Sequence, residues 1–279
     1  MLKKGISIWA FSGGSYAENF ALAKKFGFDG VELSLEAEGE LSLHSGEREI
    51  AEIVSAARNA GIALYSIATG LYWRNSLTSA DKAQREKAKD IVKKQIEAAA
   101  WAGCDTILVV PGATGVDFAP ELGITAYDDA YKRAQEALCE LAPFAQTHQV
   151  VIGVENVWNK FLTSPLEMKQ FIDEIGSPFV GSYFDVGNVL VNGYPEHWIS
   201  VLGSRIQKVH FKDFKRSIGN LNGFCDLLAG DVDYDAVMNA LQTIRYDDWV
   251  TAEVNPYATH NEVMLSHTSM AMDKILRRN

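Results

Sequence analysis

Short β-branched and apolar runs, each followed by a longer amphipathic stretch, recur eight times along this chain, and few architectures accept that pattern. Thr106-Ile107-Leu108-Val109-Val110, halted by Pro111-Gly112, offers no polar face, as expected of a parallel strand buried on both sides. Strands are expected at Gly5–Ala10, Gly30–Leu33, Ala63–Ala68, Thr106–Val110, Val150–Val154, Val180–Phe184, Ile206–Phe211 and Trp249–Val254. Helices are expected at Ala17–Phe26, Glu47–Asn59, Ala80–Ala102, Tyr127–His148, Tyr234–Ile244 and Asn261–Leu276. A further helix opens at Ser164-Pro165, where Ser caps and Pro takes the first turn, and a short one lies near Pro195–Leu202. Eight such units account for all 279 residues, which predicts a single (β/α)8 TIM barrel, one α/β catalytic domain over residues 1–279. An open doubly wound sheet is the alternative, but Ser12-Gly13-Gly14-Ser15 after the first strand is not its GxGxxG phosphate turn.

The net charge narrows the partners. Acidic residues outnumber basic ones, 36 to 26, for a formal charge of −10, which argues against a nucleic-acid partner. A phosphorylated small molecule stays open, since a few local cations suffice for it. The three cysteines, Cys104, Cys139 and Cys225, are far apart and lack CxxC spacing, so neither a disulfide framework nor a zinc ribbon is expected. No apolar run resembles a secretory core or a membrane span, which predicts a soluble, cytoplasmic protein without a membrane partner. A homo-oligomer, dimer or tetramer, is the expected assembly.

The chemistry is concentrated in the second half. The fifth strand runs into Glu155, the sixth into Asp185, the seventh into His210 and the eighth into Glu253. The C-terminal ends of barrel strands converge on one mouth, where catalytic groups sit. Taken singly, Asp185 reads as a helix cap, either glutamate as a salt-bridge partner and His210 as a core residue. Taken together, three carboxylates at one mouth repel one another unless a cation neutralises them. An oxygen-rich set with one imidazole predicts one divalent metal ion, Mn2+ first, with Mg2+, Co2+ and Zn2+ as alternatives.

Around those residues the sequence resembles a known superfamily. Gly153-Val154-Glu155-Asn156, Phe184-Asp185-Val186-Gly187-Asn188, Val209-His210-Phe211-Lys212-Asp213 and Ala252-Glu253-Val254 are similar to the motifs of the xylose-isomerase-like sugar-phosphate isomerases and epimerases. The ketose 3-epimerases are the nearest branch in motif pattern, and Gly230-Asp231-Val232-Asp233-Tyr234 resembles the family's loop before its seventh helix. The resemblance implies that Glu155, Asp185, His210 and Glu253 hold the metal. It also implies that Glu155 and Glu253 act on opposite faces of C3, one removing a proton and the other returning one through an enediolate.

The same resemblance bears on the substrate side. Arg216 stands where the family often places an arginine on the substrate, and Lys212 and Lys215 could join it as a phosphate cradle; a solvated basic loop is the alternative. Asn188 replaces a histidine that many ketose 3-epimerases carry, and it can hydrogen-bond a hydroxyl but not titrate near neutral pH. Asn156, Trp158, Asn159 and Lys160 are substrate candidates by position. Glu32 reads as a structural salt-bridge residue or as a support behind the site, while Trp9, Phe11, Tyr72 and Trp73 read as core aromatics or as pocket wall. The partner is expected to be a sugar or sugar phosphate. The rival activities are an aldose–ketose isomerase, an inositol or keto-polyol isomerase or dehydratase, and, from another class, a non-catalytic sugar-binding barrel. A trinuclear zinc nuclease of the AP-endonuclease type is excluded by Asn188 and by the lack of histidines in strands three and four.

Overall fold

The computed structural model describes residues 2–278. Eight parallel strands close into a barrel: β1 (Lys3–Ser7), β2 (Gly30–Ser34), β3 (Ala63–Ala68), β4 (Thr106–Val109), β5 (Val151–Glu155), β6 (Val180–Asp185), β7 (Ile206–Phe211) and β10 (Trp249–Ala252). The closing seam pairs β1 with β10 in parallel, Lys3 against Trp249 through Ile6 against Ala252. Outside run α1 (Tyr16–Lys25), α2 (Glu47–Ala60), α3 (Lys82–Ala102), α4 (Tyr127–His148), α5 (Pro165–Ile175), α6 (Pro195–Leu202), α7 (Tyr234–Thr243) and α8 (Asn261–Ile275). The expected (β/α)8 barrel is therefore the fold. Among the described residues no helix is long and apolar enough to cross a membrane.

The local causes are visible at the helix starts. Ser15 and Glu18 form a reciprocal capping box on α1, Asp81 caps α3 through Ala83 N, and Ser164 caps α5 ahead of Pro165. Two boundaries differ from expectation for such reasons. The first strand was expected at Gly5–Ala10 but ends at Ser7, whose hydroxyl accepts from Trp9 N and turns Ile8–Ala10 into a 3₁₀ turn. The third helix begins at Lys82, not Ala80, because Asp81 is its cap.

A two-stranded antiparallel ribbon, β8 (Asp213–Phe214) with β9 (Phe224–Cys225), interrupts the loop after β7. Two-residue strands carry no readable periodicity, and the sequence showed this stretch only as a charged loop. At the opposite end of the barrel Lys4 and Lys208 are buried, with ammonium groups 2.6 Å from Asp273 and 2.6 Å from Asp248.

Candidate metal centre

Parallel register brings the predicted strand ends together. Glu155 and Asp185 are the last residues of β5 and β6, His210 lies one residue before the end of β7, and Glu253 follows β10. Asp185 is in register with His210, and His210 with Thr251 two residues before Glu253. One ligand atom from each of Glu155, Asp185, His210 and Glu253 lies within 4.8 Å of the other three. From His210 Nδ1 the distances are 2.8 Å to Glu253 Oε2, 3.9 Å to Asp185 Oδ2 and 4.0 Å to Glu155 Oε1. An octahedral cation with bonds of about 2.1 Å separates its ligand atoms by roughly 3.0 to 4.2 Å, a range that takes in the 3.9 Å and 4.0 Å spacings and lies just above the 2.8 Å one.

The hydrogen bonding points the same way. Asp185 Oδ2, His210 Nδ1 and Glu253 Oε2 are buried and lack a hydrogen-bond partner of acceptable geometry. Orphaned buried polar atoms are rare, and here three of them belong to one set of four metal-ligand types. The residues present therefore fit a divalent cation.

Asp185 and His210 are held firmly by their other polar atoms. Asp185 Oδ1 accepts from Asn188 N at 2.7 Å, and its backbone is bracketed by the Asn156 side chain, at 2.9 Å and 2.8 Å. His210 turns its Nε2 away from the cluster to Glu32, 3.0 Å from Oε1 and 3.2 Å from Oε2. Glu32 in turn accepts from Ser66 Oγ at 2.8 Å and from the Tyr183 hydroxyl. Of the two readings of Glu32, a structural salt bridge or a support behind the site, the contacts join both: it is fully buried on β2, pairs with His210 across the barrel and fixes the imidazole. Its position at a strand end was the only signal in the sequence.

Burial and charge crowding shift Glu155, Asp185, His210, Glu253 and Lys212. Burial, and then the charge of Glu253, pushes Glu155 up to about 8. Burial likewise raises Asp185, against the pull of Lys212. Burial opposes ionisation of Glu253 too, but Lys212 and His210 outweigh it and hold this carboxyl below the usual range. Burial works against the charged form of His210, yet Glu32 and Glu253 prevail and raise it. The Lys212 ammonium lies 2.9 Å from Glu253 Oε2 and 3.3 Å from Asp185 Oδ2. Burial would lower its pKa, but Asp185 and Glu253 overcome that and raise it.

Two adjoining lobes open from the cluster and share Trp9, Lys212, Phe224 and Glu253. The first, about 210 Å³, is also lined by Glu155 and Asn188 and walled by Trp73, Phe118 and Trp158. The second, about 220 Å³, adds Asp226, Asn255 and Tyr257. Trp9 and Trp73 are therefore wall residues, whereas Phe11 and Tyr72 are buried in the core. Asn188 donates to the Asn156 carbonyl at 3.1 Å and lies 3.4 Å from Glu155 Oε1. Arg216 is not brought to the cluster; its guanidinium donates to Gly193 O at 3.2 Å and stacks on Tyr194. Lys215 is exposed, Asn159 is buried against Gly112 O, and Lys160 pairs with Asp117. Phe118 and Phe224, in irregular loop and ribbon, carried no sequence signal for a pocket.

Comparisons with known proteins agree with this architecture. A family model described as xylose isomerase-like TIM barrel matches residues 20–272. SgbU of Escherichia coli (strain K12), provisionally named an L-ribulose-5-phosphate 3-epimerase, is 30% identical over 239 residues, 83% of this chain and 81% of its own. UlaE of Salmonella paratyphi A, an L-ribulose-5-phosphate 3-epimerase by name, is 26% identical over 272 residues, 92% of each chain. Among solved structures, an L-ribulose 3-epimerase superposes with a TM-score of 0.81 at 19% identity, covering 100% of this chain and 97% of that one. With the closed barrel, the family match over most of its length and a 30% identical relative in hand, the chain belongs to the xylose isomerase-like TIM-barrel family.

Proposed function

We propose that this chain is a metal-dependent sugar epimerase that inverts C3 of a ketose. The observation that carries the reading is the placement of Glu155 and Glu253. They come from β5 and β10, which are separated in the barrel by β6 and β7, yet both line one cavity and both belong to the metal-ligand set. Two carboxyl groups reaching a shared space from separated strands suit a reaction in which one takes a proton from a carbon and the other returns one to its opposite face. The names of the relatives, 3-epimerases of L-ribulose 5-phosphate, point to the same carbon.

A divalent cation, Mn2+ by preference for three carboxylates and one imidazole, supplies positive charge that eases loss of a proton beside a carbonyl. The side chains do the rest. One glutamate starts ionised and the other protonated; a turnover leaves the proton on the first and the second ionised, exchange with water restores the pair, and the roles swap for the reverse reaction. Asn188, beside Glu155, offers its amide to a substrate hydroxyl, and Lys212 balances the carboxylates and faces the same cavity. The aromatic walls shed water from the reacting carbon.

The test is proton NMR of ketoses and ketose phosphates incubated with Mn2+-loaded enzyme in deuterium oxide. A two-base epimerisation places close to one deuterium at C3 per turnover. Deuterium at C1 or C2 alone, or hydrogen transfer with none incorporated, rejects C3 epimerisation and makes the enzyme an aldose–ketose isomerase.

A further inference from the structure

We infer that the substrate is an uncharged sugar, not a sugar phosphate, because the place where a barrel of this kind holds a phosphate is filled by the protein's own carboxylates. The inference rests on the epimerase reading for the reaction but not for the binding. Phosphate in (β/α)8 barrels is commonly held by backbone N–H groups in the loops after the last two barrel strands. In the loop after β7 several of those N–H groups are already engaged. Asp213, fully buried, accepts from Phe214 N at 2.8 Å, Gly230 N at 3.1 Å and Val232 N at 3.2 Å. Asp231 accepts from Arg216 N at 2.7 Å, and Asp233 caps α7 by accepting from Ala236 N at 2.9 Å.

The fit of Asp213 is built into the backbone. A Cβ on residue 230 would stand 2.2 Å from Asp213 Oδ1, so glycine lets the loop close over the carboxylate. A phosphate dianion arriving there would meet a buried carboxylate already using the donors, and repulsion in place of hydrogen bonds.

The lobes give the same answer. Among the described residues lining both lobes Lys212 is the one cation, and its ammonium lies between Glu253 and Asp185. The expected cradle of Lys212, Lys215 and Arg216 does not converge: Lys212 turns inward, and Arg216 turns to Gly193 and Tyr194. What the lobes do present suits a polyol. Trp73, Phe118 and Trp158 offer apolar faces for the C–H side of a sugar, and Phe118 packs edge-on to Trp73 at 4.9 Å. In the other lobe the Asp226 carboxylate offers an acceptor to a hydroxyl and repels a phosphate, while Asn255 presents a neutral amide.

The experiment compares ribitol with ribitol 5-phosphate by calorimetric titration of the Mn2+-loaded protein, alongside C3 deuterium exchange on ribulose and ribulose 5-phosphate. The phosphate is expected to weaken binding by about tenfold or more, the scale of an unpaired charge against resident carboxylates, with exchange running faster on the free ketose. An ester that binds as tightly as the free polyol, or more tightly, overturns the inference. Weaker ester binding with no C3 exchange on either ketose leaves this inference standing and removes the epimerase reading instead.

Discussion

Lys208 and Lys212 leave the same strand at opposite ends of the barrel, and their surroundings differ in a way that separates scaffold from chemistry. Lys208 is 2% exposed, and its ammonium is 2.8 Å from Asp105 and 2.6 Å from Asp248, carboxylates that are 66% and 28% exposed. Solvent shares the charge there, and every group has a partner. Lys212 faces Asp185, which is fully buried, and Glu253, which is 19% exposed, and on each of them one buried oxygen is left without a hydrogen bond of acceptable geometry. A protein keeps unsatisfied buried polar atoms where something else is to bind, and among the described residues three of the four such atoms lie in this cluster, the fourth being Ser182 Oγ lower on β6. This is the division expected of the fold, with chemistry at the ends of the strands and stability at their beginnings.

The sharpest way to break that contrast is to remove one of the two proposed proton carriers from the mouth. Glu155→Gln and Glu253→Gln should each lower kcat by about 10²–10⁴-fold, with KM changing far less. Both variants are assayed at saturating Mn2+ with metal content measured, and circular dichroism should show an unchanged barrel. Near wild-type turnover in either variant, with metal bound, would make that glutamate a ligand and nothing more.

Glu32 refines the comparison, because it belongs to the half of the barrel that supplies no ligand. It lies on β2, and its contact with His210 spans 178 residues of sequence. The carboxylate holds Nε2, which leaves Nδ1 directed at the ligand set. Glu32→Gln preserves the volume and removes the charge, so Mn2+ affinity should fall by about 10–100-fold. Titration of metal-stripped protein reads this directly, and thermal unfolding of the same samples reports whether the core has suffered. An unchanged affinity would reduce Glu32 to a core hydrogen-bonding residue.

How far the sequence could be read follows from the same distinction. The four candidate ligands stand at the ends of barrel strands that follow one another in sequence and are neighbours in the barrel, so order along the chain was enough to group them. The eight strands were legible because burial on both faces demands runs such as Ile107-Leu108-Val109. Glu32 was not legible as the partner of His210, because that contact exists only once β2 and β7 stand across a closed barrel. Arg216 and Lys212 are four residues apart in one basic loop, yet the ribbon of β8 and β9 sends one to Tyr194 and leaves the other at the mouth. Side-chain direction after a two-residue strand leaves no periodic trace.

The smallest effect is expected at the other end. Lys208→Met replaces a buried ammonium by an apolar side chain of similar length, and the carboxylates left behind, Asp105 and Asp248, can hydrate because both reach solvent. Losing a pair whose partners are partly exposed costs little, and methionine regains some of it through packing, so stability should change by about 1 kcal/mol or less. Catalysis should not change at all, since no atom of Lys208 approaches the cluster lobes. Urea unfolding and kcat/KM measured on one preparation decide it. A fall in kcat/KM without a fall in stability would show that the two ends of β7 are coupled, and that the separation of scaffold from chemistry fails along this strand.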